Sequence, residues 1–145
     1  LTRIAVICQT EGNEEFAKQA VDDLNDKAEK ILGMIALSDV SRKTEKTEVA
    51  LKQLHEAYFR IGTVQQLSMK SLILNRLSER FNLLENSAKA RTICTENLQT
   101  ISGILDESHR VSAMAGLADT FESLKFELND AEKDLLRTMI RKTAW

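Results

Sequence analysis

Apolar residues recur along this chain at steps of three and four, the spacing that lines one side of an α-helix. Ala17, Val21, Leu24, Ala28, Ile31 and Ile35 alternate the two steps. Leu51, Leu54, Tyr58 and Ile61 open a second stripe, which continues through Val64, Leu67 and Leu72. Leu74, Leu77, Phe81, Leu84 and Ala88 carry it into the centre, and Cys94, Leu98, Ile101 and Leu105 repeat the step beyond. Leu117, Phe121, Leu124, Leu128, Ala131 and Leu135 form another strict heptad. A stripe of this kind is stable only when another helix covers it. The pattern predicts one domain, 1–145, with helices over roughly 1–10, 13–37, 43–84, 88–107 and 112–143.

The joints are less distinct than the stripes. Asn13 is placed to cap a helix whose first turn carries Glu14 and Glu15, at the positive end of the dipole. Gly33 is expected to weaken the last turns of that helix, and 38–41 reads as the turn after it. Arg42 to Glu48 alternates sign, the mark of a solvated helix face. The six-residue gap between Ala88 and Cys94 fits neither step. Either 43–107 is one continuous helix of roughly 100 Å, or a turn at Asn86-Ser87 divides it. Residues 3–8 resemble a strand locally, but no second strand follows and no Gly-x-Gly-x-x-Gly loop accompanies them, so a short first helix is expected.

The fold class follows: all-α, an elongated antiparallel helical bundle or coiled coil of three to four long amphipathic helices. The chain of 145 residues has no proline, where average use of about 5% would give roughly seven. The strongest helix breaker is therefore missing, along with much of the turn chemistry of an all-β fold. Much of the apolar pattern is the narrow two-in-seven kind of a coiled-coil seam, which favours association with a second helical surface. Ser38 stands one step beyond Ile35, and Arg91 or Thr95 falls on the central stripe if its register continues. Polar residues at such positions set register and partner choice.

Composition narrows the function classes. A net charge of −2 does not advertise a nucleic-acid partner. No apolar run approaches the roughly 20 residues that cross a bilayer, so membrane insertion is not expected. Cys8 and Cys94 are too few for a disulfide framework or a cysteine metal site, and suit a reducing, cytoplasmic setting. Cys94, on a stripe, reads as a buried thiol. His55-Glu56 begins a zincin-like pattern, but Phe59 stands where the second histidine is needed. His109, three residues after Asp106, is half of a carboxylate–histidine pair with no second copy. The acidic residues do not point to a general acid–base pair, and no Gly-x-Ser-x-Gly elbow or Gly-rich phosphate loop is present.

No catalytic, cofactor-binding or metal-ligating residue is therefore assigned. The expected role is a non-enzymatic helical scaffold or adaptor, pairing as a homodimer or with another helical protein. Its seam would comprise Ala17, Val21, Leu24, Ile31, Leu74, Leu77, Phe81, Leu84, Leu98, Leu105, Leu117, Phe121, Leu124, Leu128 and Leu135. Two alternatives stand beside it. One is a bundle that senses a small ligand or effector in a pocket lined by Tyr58, Phe81, Met114 and Phe121. The other is an export or assembly chaperone receiving an amphipathic helix in an exposed groove. The leading Leu1 suggests a trimmed domain or processed product.

Overall fold

The computed structural model describes residues 2–143, with side chains described as far as 141; Leu1 and Trp145 lie outside the described residues. The chain folds as α1 (Thr2–Thr10), α2 (Glu14–Asp22), α3 (Lys27–Lys43), α4 (Thr47–Phe59), a 3-10 turn (Ile61–Thr63), α5 (Leu67–Leu83), α6 (Ser87–Ser102), α7 (Glu107–Ser123) and α8 (Asp130–Thr143). No strand occurs among the described residues.

The expected three to four long helices are thus replaced, among the described residues, by eight of short to medium length. The segment 13–37 is two helices, divided at 23–26, and α3 continues through 38–41, where a turn was expected. The segment 43–84 divides at 60–66, and 112–143 divides at 124–129. The long helix over 43–107 does not form: besides the break at 60–66, the chain turns before α6, where Asn86 caps the new helix by accepting from the Lys89 amide at 3.3 Å. The heptads ran through these breaks for a physical reason. Leu24, Val64 and Ile104 lie in the connections, each two residues before the N-cap of the next helix, and each is buried. They anchor the loops to the core, and Leu24 and Val64 so mimic a continuing stripe.

Repeated turn chemistry sets the helix ends. After α1, α3, α5 and α7 the chain passes through a left-handed residue, at Gly12, Glu45, Glu85 and Lys125. The next amide reaches back five residues in each case: Asn13 to Cys8 O at 2.8 Å, Lys46 to Ser41 O at 2.8 Å, Asn86 to Phe81 O at 2.9 Å and Phe126 to Phe121 O at 2.9 Å. This closes the last helical carbonyls in a Schellman arrangement and folds the chain back. Glu45, Glu85 and Lys125 stand 40 residues apart, as do the N-caps Asp26, Gln66 and Asp106 and the buried leucines Leu37, Leu77 and Leu117. The molecule is therefore an array of helical hairpins with an internal 40-residue period.

The hairpins stack. The first helices α1, α3, α5 and α7 each pack on the next, while α2, α4 and α6 fall in a second layer, each also touching the first helix that follows it. The layer of first helices is the more closely spaced of the two, the organisation of a short α-solenoid. In the first three hairpins a small buried residue sits at matching places on both arms: Ala5 and Ala17, Ser38 and Ala50, Ser78 and Ala90. Small side chains there let the two helices approach closely. Gly33 serves a similar purpose between hairpins. It lies in mid-α3, not in the last turns, and a Cβ there would come within 3.1 Å of Val21 Cγ2. The larger core cluster runs from α1 to α6 and includes the fully buried Ile31, Leu54, Ile73, Leu74, Leu77 and Phe81. Burying a side chain of this size contributes about 1.5–3 kcal/mol. A smaller cluster of Cys94, Leu98, Ile101, Ile104, Leu117, Phe121 and Met139 holds the C-terminal end.

Candidate interaction surface

Most of the predicted seam lies inside the single chain. Ala17, Val21, Leu24, Ile31, Leu74, Leu77, Phe81, Leu98, Leu117 and Phe121 are buried, whereas Leu84, Leu124, Leu128 and Leu135 are half-buried. Leu105 departs from this pattern at 94% exposed. The helix α6 has already ended at Ser102, so the register shifts and Ile104 takes the buried place. The seam residues other than Leu24 and Leu105 fall into two internal clusters instead of one outward stripe.

Of the polar residues placed on the stripes, Ser38 is buried and donates to Ile35 O at 2.6 Å within its own helix. Arg91 and Thr95 converge on one carboxylate, that of Glu132 in α8. Arg91 Nη1 lies 3.0 Å from Glu132 Oε2 and its Nη2 pairs with Oε1, while Thr95 Oγ1 donates to Oε2 at 3.1 Å. Arg91 Nη2 also reaches Glu127 O at 2.8 Å, and the guanidinium lies 5.0 Å from the Phe121 ring centre. Asn129 and Glu132 cap α8 reciprocally, with the Asn129 amide 2.9 Å from Glu132 Oε1 and the Glu132 amide 2.8 Å from Asn129 Oδ1. Glu132 is only 4% exposed. Burial alone would raise its pKa. The hydrogen bonds from Arg91 and the Asn129 amide, the Arg91 charge and Thr95 outweigh burial and hold the carboxyl below the usual range.

The histidines stand apart. His55 is exposed and meets Phe81 edge-on, with ring centres 5.0 Å apart. His109 Nδ1 lies 3.0 Å from Asp106 Oδ1, at the exposed start of α7. Among the described residues no three His, Cys, Asp or Glu side chains gather as a metal site. Cys8 is half-buried, and burial pushes the Cys94 thiol up despite the lowering influence of Ser78 and Arg91. Tyr58 joins α4 to α6 by hydrogen bonding to Glu96, beneath the Lys89 ammonium 4.3 Å from its ring centre. Burial first, then the hydrogen bond and charge of Glu96, raise the phenol to about 12. The residues expected to line a ligand pocket are dispersed. Met114 and Phe121 border a cleft of only about 70 Å³, whereas Phe81 is enclosed in the main core.

Two clefts open on opposite layers. Between α2 and α4 lies one of about 190 Å³, with Val21, Met34 and Leu37 among its walls and Glu14, Lys18, Asp22, Lys52 and Glu56 around it. Lys46 Nζ and Glu14 Oε1, 2.6 Å apart, tie the two hairpins together beside it. Beneath it Gln9 Nε2 donates to Leu37 O at 3.0 Å, and Ser41 Oγ donates to Gln53 Oε1 at 2.8 Å, so the polar groups there are satisfied within the fold.

The other cleft, of about 170 Å³, lies between the first helices α5 and α7. Ser68, Ser71, Leu72 and Asn75 line one side and His109, Ser112, Ala113 and Gly116 the other. Asn97 of α6 donates from Nδ2 to Asn75 Oδ1 at 2.8 Å and to Ser71 O at 3.2 Å. Ser71 Oγ and Asn97 Oδ1 are buried without a hydrogen-bond partner among the described residues. On the same face, α3 and α5 are bridged by Arg80 Nε and Asp39 Oδ1 at 2.9 Å. This cleft was not anticipated from sequence. The signal for it was the 40-residue repeat, which aligns Ser71 and Asn75 with the buried Ile31 and Ile35. No protein-family model, curated protein sequence or solved structure matches this chain.

Proposed function

We propose that this chain is a non-enzymatic protein–protein interaction module, a scaffold or adaptor built from stacked helical hairpins. The observation that carries this reading is the exposed face of the first helices, where the largely apolar cleft between α5 and α7 and the exposed Leu72 and Leu83 lie on one layer of the stack. Helical stacks of this kind offer extended surfaces suited to partner segments. The partner surface is assigned to this face because the heptad residues are already packed internally. A small-ligand role draws less support, since the clefts bordered by Met114, Phe121 and Leu72 fall below the ~300 Å³ from which ligand sites usually begin, and the one of about 430 Å³ beside Asn25, Thr63 and Gln66 is a shallow, wide-open surface depression.

The test is selection of a displayed random-peptide library on the intact chain, followed by mapping of the winners. Leu72→Lys and Arg76→Glu alter exposed positions of α5, while Lys52→Glu and Phe59→Lys alter exposed positions of α4. Tenfold or greater loss of binding from the α5 pair, with less than twofold from the α4 pair, supports the reading. Winners that depend on the α4 pair, or a selection with no enrichment above an unrelated helical protein, overturn it.

A further inference from the structure

We propose that two copies of this chain pair head to head through the outer face of the first hairpin, with α1 lying antiparallel on α1 of the partner subunit. This pairing uses a surface apart from the face of α5 and α7, and stands independently of the partner segments proposed for it.

The internal repeat shows what the outer face of α1 and α2 is built to meet. Gly12 and Glu45, the left-handed residues after α1 and α3, align the first two hairpins at an offset of 33 residues. In that register Ile4, Ile7 and Phe16 stand where the second hairpin has Leu37, Val40 and Val49. Leu37 is 3% exposed, and Val40 and Val49 are half-buried. The first hairpin covers this side of the second: Gln9 donates to Leu37 O, and Leu37 and Val49 share a cleft wall with Val21 of α2. Ile4 and Ile7 are each 56% exposed and Phe16 66%, because α1 meets α2 and α3 with its opposite side. Positions that an inner hairpin turns toward its neighbour are thus apolar and open here. Apolar residues grouped in this way mark a contact surface.

The two ends of the stack decide how the copies meet. The last hairpin exposes charge, with Asp119 and Glu122 on α7 and Asp130, Lys133, Asp134 and Arg137 on α8. A polar outer face is how a terminal repeat closes a helical stack. Head-to-tail stacking would therefore set Ile4, Ile7 and Phe16 against charge. Head-to-head pairing sets them against each other and closes after two copies, as a two-fold interface does.

Charge along α1 fixes the direction. Arg3 near its start and Glu11 just past its end are both exposed, with Ile7 midway between them. Antiparallel helices centred on Ile7 bring Arg3 of each copy to Glu11 of the partner subunit. Parallel helices would bring like charges together, which complementary interfaces avoid.

The deciding experiment is sedimentation equilibrium of the full chain from micromolar to submillimolar concentration. A reversible monomer–dimer equilibrium with no larger species is expected. Ile7→Lys and Phe16→Lys should each weaken it tenfold or more, whereas Ile140→Lys and Leu72→Lys should weaken it less than twofold. All four positions are exposed, and circular dichroism melting checks that each variant folds. Arg3→Glu and Glu11→Arg should each weaken self-association at least threefold. Mixing those two variants should restore pairing to within twofold of the original chain, because every contact then joins opposite charges. A monomer at all concentrations, mass that climbs past the dimer, or a dimer that survives both Ile7→Lys and Phe16→Lys overturns the proposal. Loss of the dimer in Ile140→Lys would show head-to-tail stacking, and loss in Leu72→Lys would move the contact to the face of α5 and α7; either overturns it. A mixture no tighter than its components removes the antiparallel arrangement.

Discussion

The hairpins α5–α6 and α7–α8 begin with the same turn and end in different structures. Both leave their first helix through a left-handed residue, Glu85 or Lys125, with the same five-residue hydrogen bond behind it. Beyond Glu85 the second helix starts at once, and Ser78 and Ala90 are buried on the two arms. Beyond Lys125 the chain runs on to Asn129 before α8 begins, and the matching residues Ala118 and Asp130 are exposed. The last helix then packs on α6. One hairpin is closed by small residues and apolar contact; the other is open, its last helix held on α6 by the buried Met139 and by the Arg91–Glu132 pair. Turn chemistry reverses the chain, but residues five to seven positions away decide whether the arms close.

The largest test of this contrast is Phe81→Ala. Phe81 is fully buried in the main core, and removing such a side chain costs about 3–5 kcal/mol. Chemical denaturation should show the whole α1–α6 core losing stability together. Selective fraying of α8, with the rest unchanged, would mean the two regions are not divided as described.

Arg91→Ala should act on the open hairpin. It leaves Glu132 buried with no cation, and breaking a buried pair in this way costs about 3 kcal/mol or more. Hydrogen exchange should rise in α8 while α3 and α4 keep their protection. The pH dependence has a definite sign. Because folding lowers the Glu132 pKa, its contribution is complete above the ordinary glutamate range and is lost as pH falls through the depressed folded value. Undocking of α8 on acidification, absent in Glu132→Gln, would confirm the tether. Equal acid sensitivity in that variant would remove it.

The all-helical class was legible because the three-and-four spacing survives in every helix, and Asn13 was legible as a cap because its chemistry is local. It accepts from the Phe16 amide at 3.3 Å, as such a residue should. The breaks at 23–26 and 60–66 were not legible, because Leu24 and Val64 are apolar loop anchors that keep the stripe's spacing. The left-handed turns were hidden for a different reason. Glu45, Glu85 and Lys125 are not the glycine or asparagine that usually mark such sites. Arg91 and Thr95 could be placed on a stripe, but not given a shared partner, since Glu132 lies about 40 residues away in sequence. The α5–α7 cleft is likewise formed by residues from separate hairpins, and only the repeat register would have brought Ser71 and Asn75 to notice.

A smaller effect separates the hairpins by position. Ala90→Leu crowds a fully buried site and should cost about 1–3 kcal/mol. Ala118→Leu, at the position that matches Ser78 on the open hairpin's first arm, is exposed and should stay within about 0.5 kcal/mol. Melting of the two variants side by side reads the difference. Equal losses would show that α7 and α8 close as tightly as α5 and α6.

The smallest expected change is a gain. Glu85 holds φ at 60°, a conformation that costs an L-residue about 1 kcal/mol and glycine far less. Glycine also has more freedom to lose on folding, so Glu85→Gly should raise stability by no more than about 1 kcal/mol. Lys125→Gly relieves the same backbone strain at φ 56°, but its turn leads into the open hairpin. If that hairpin is held by Arg91 and Glu132 and not by its turn, Glu85→Gly should raise the midpoint of global unfolding, while Lys125→Gly should leave exchange in α8 unchanged. Slower α8 exchange in Lys125→Gly would instead show that the turn, as well as the ion pair, governs how the last helix docks.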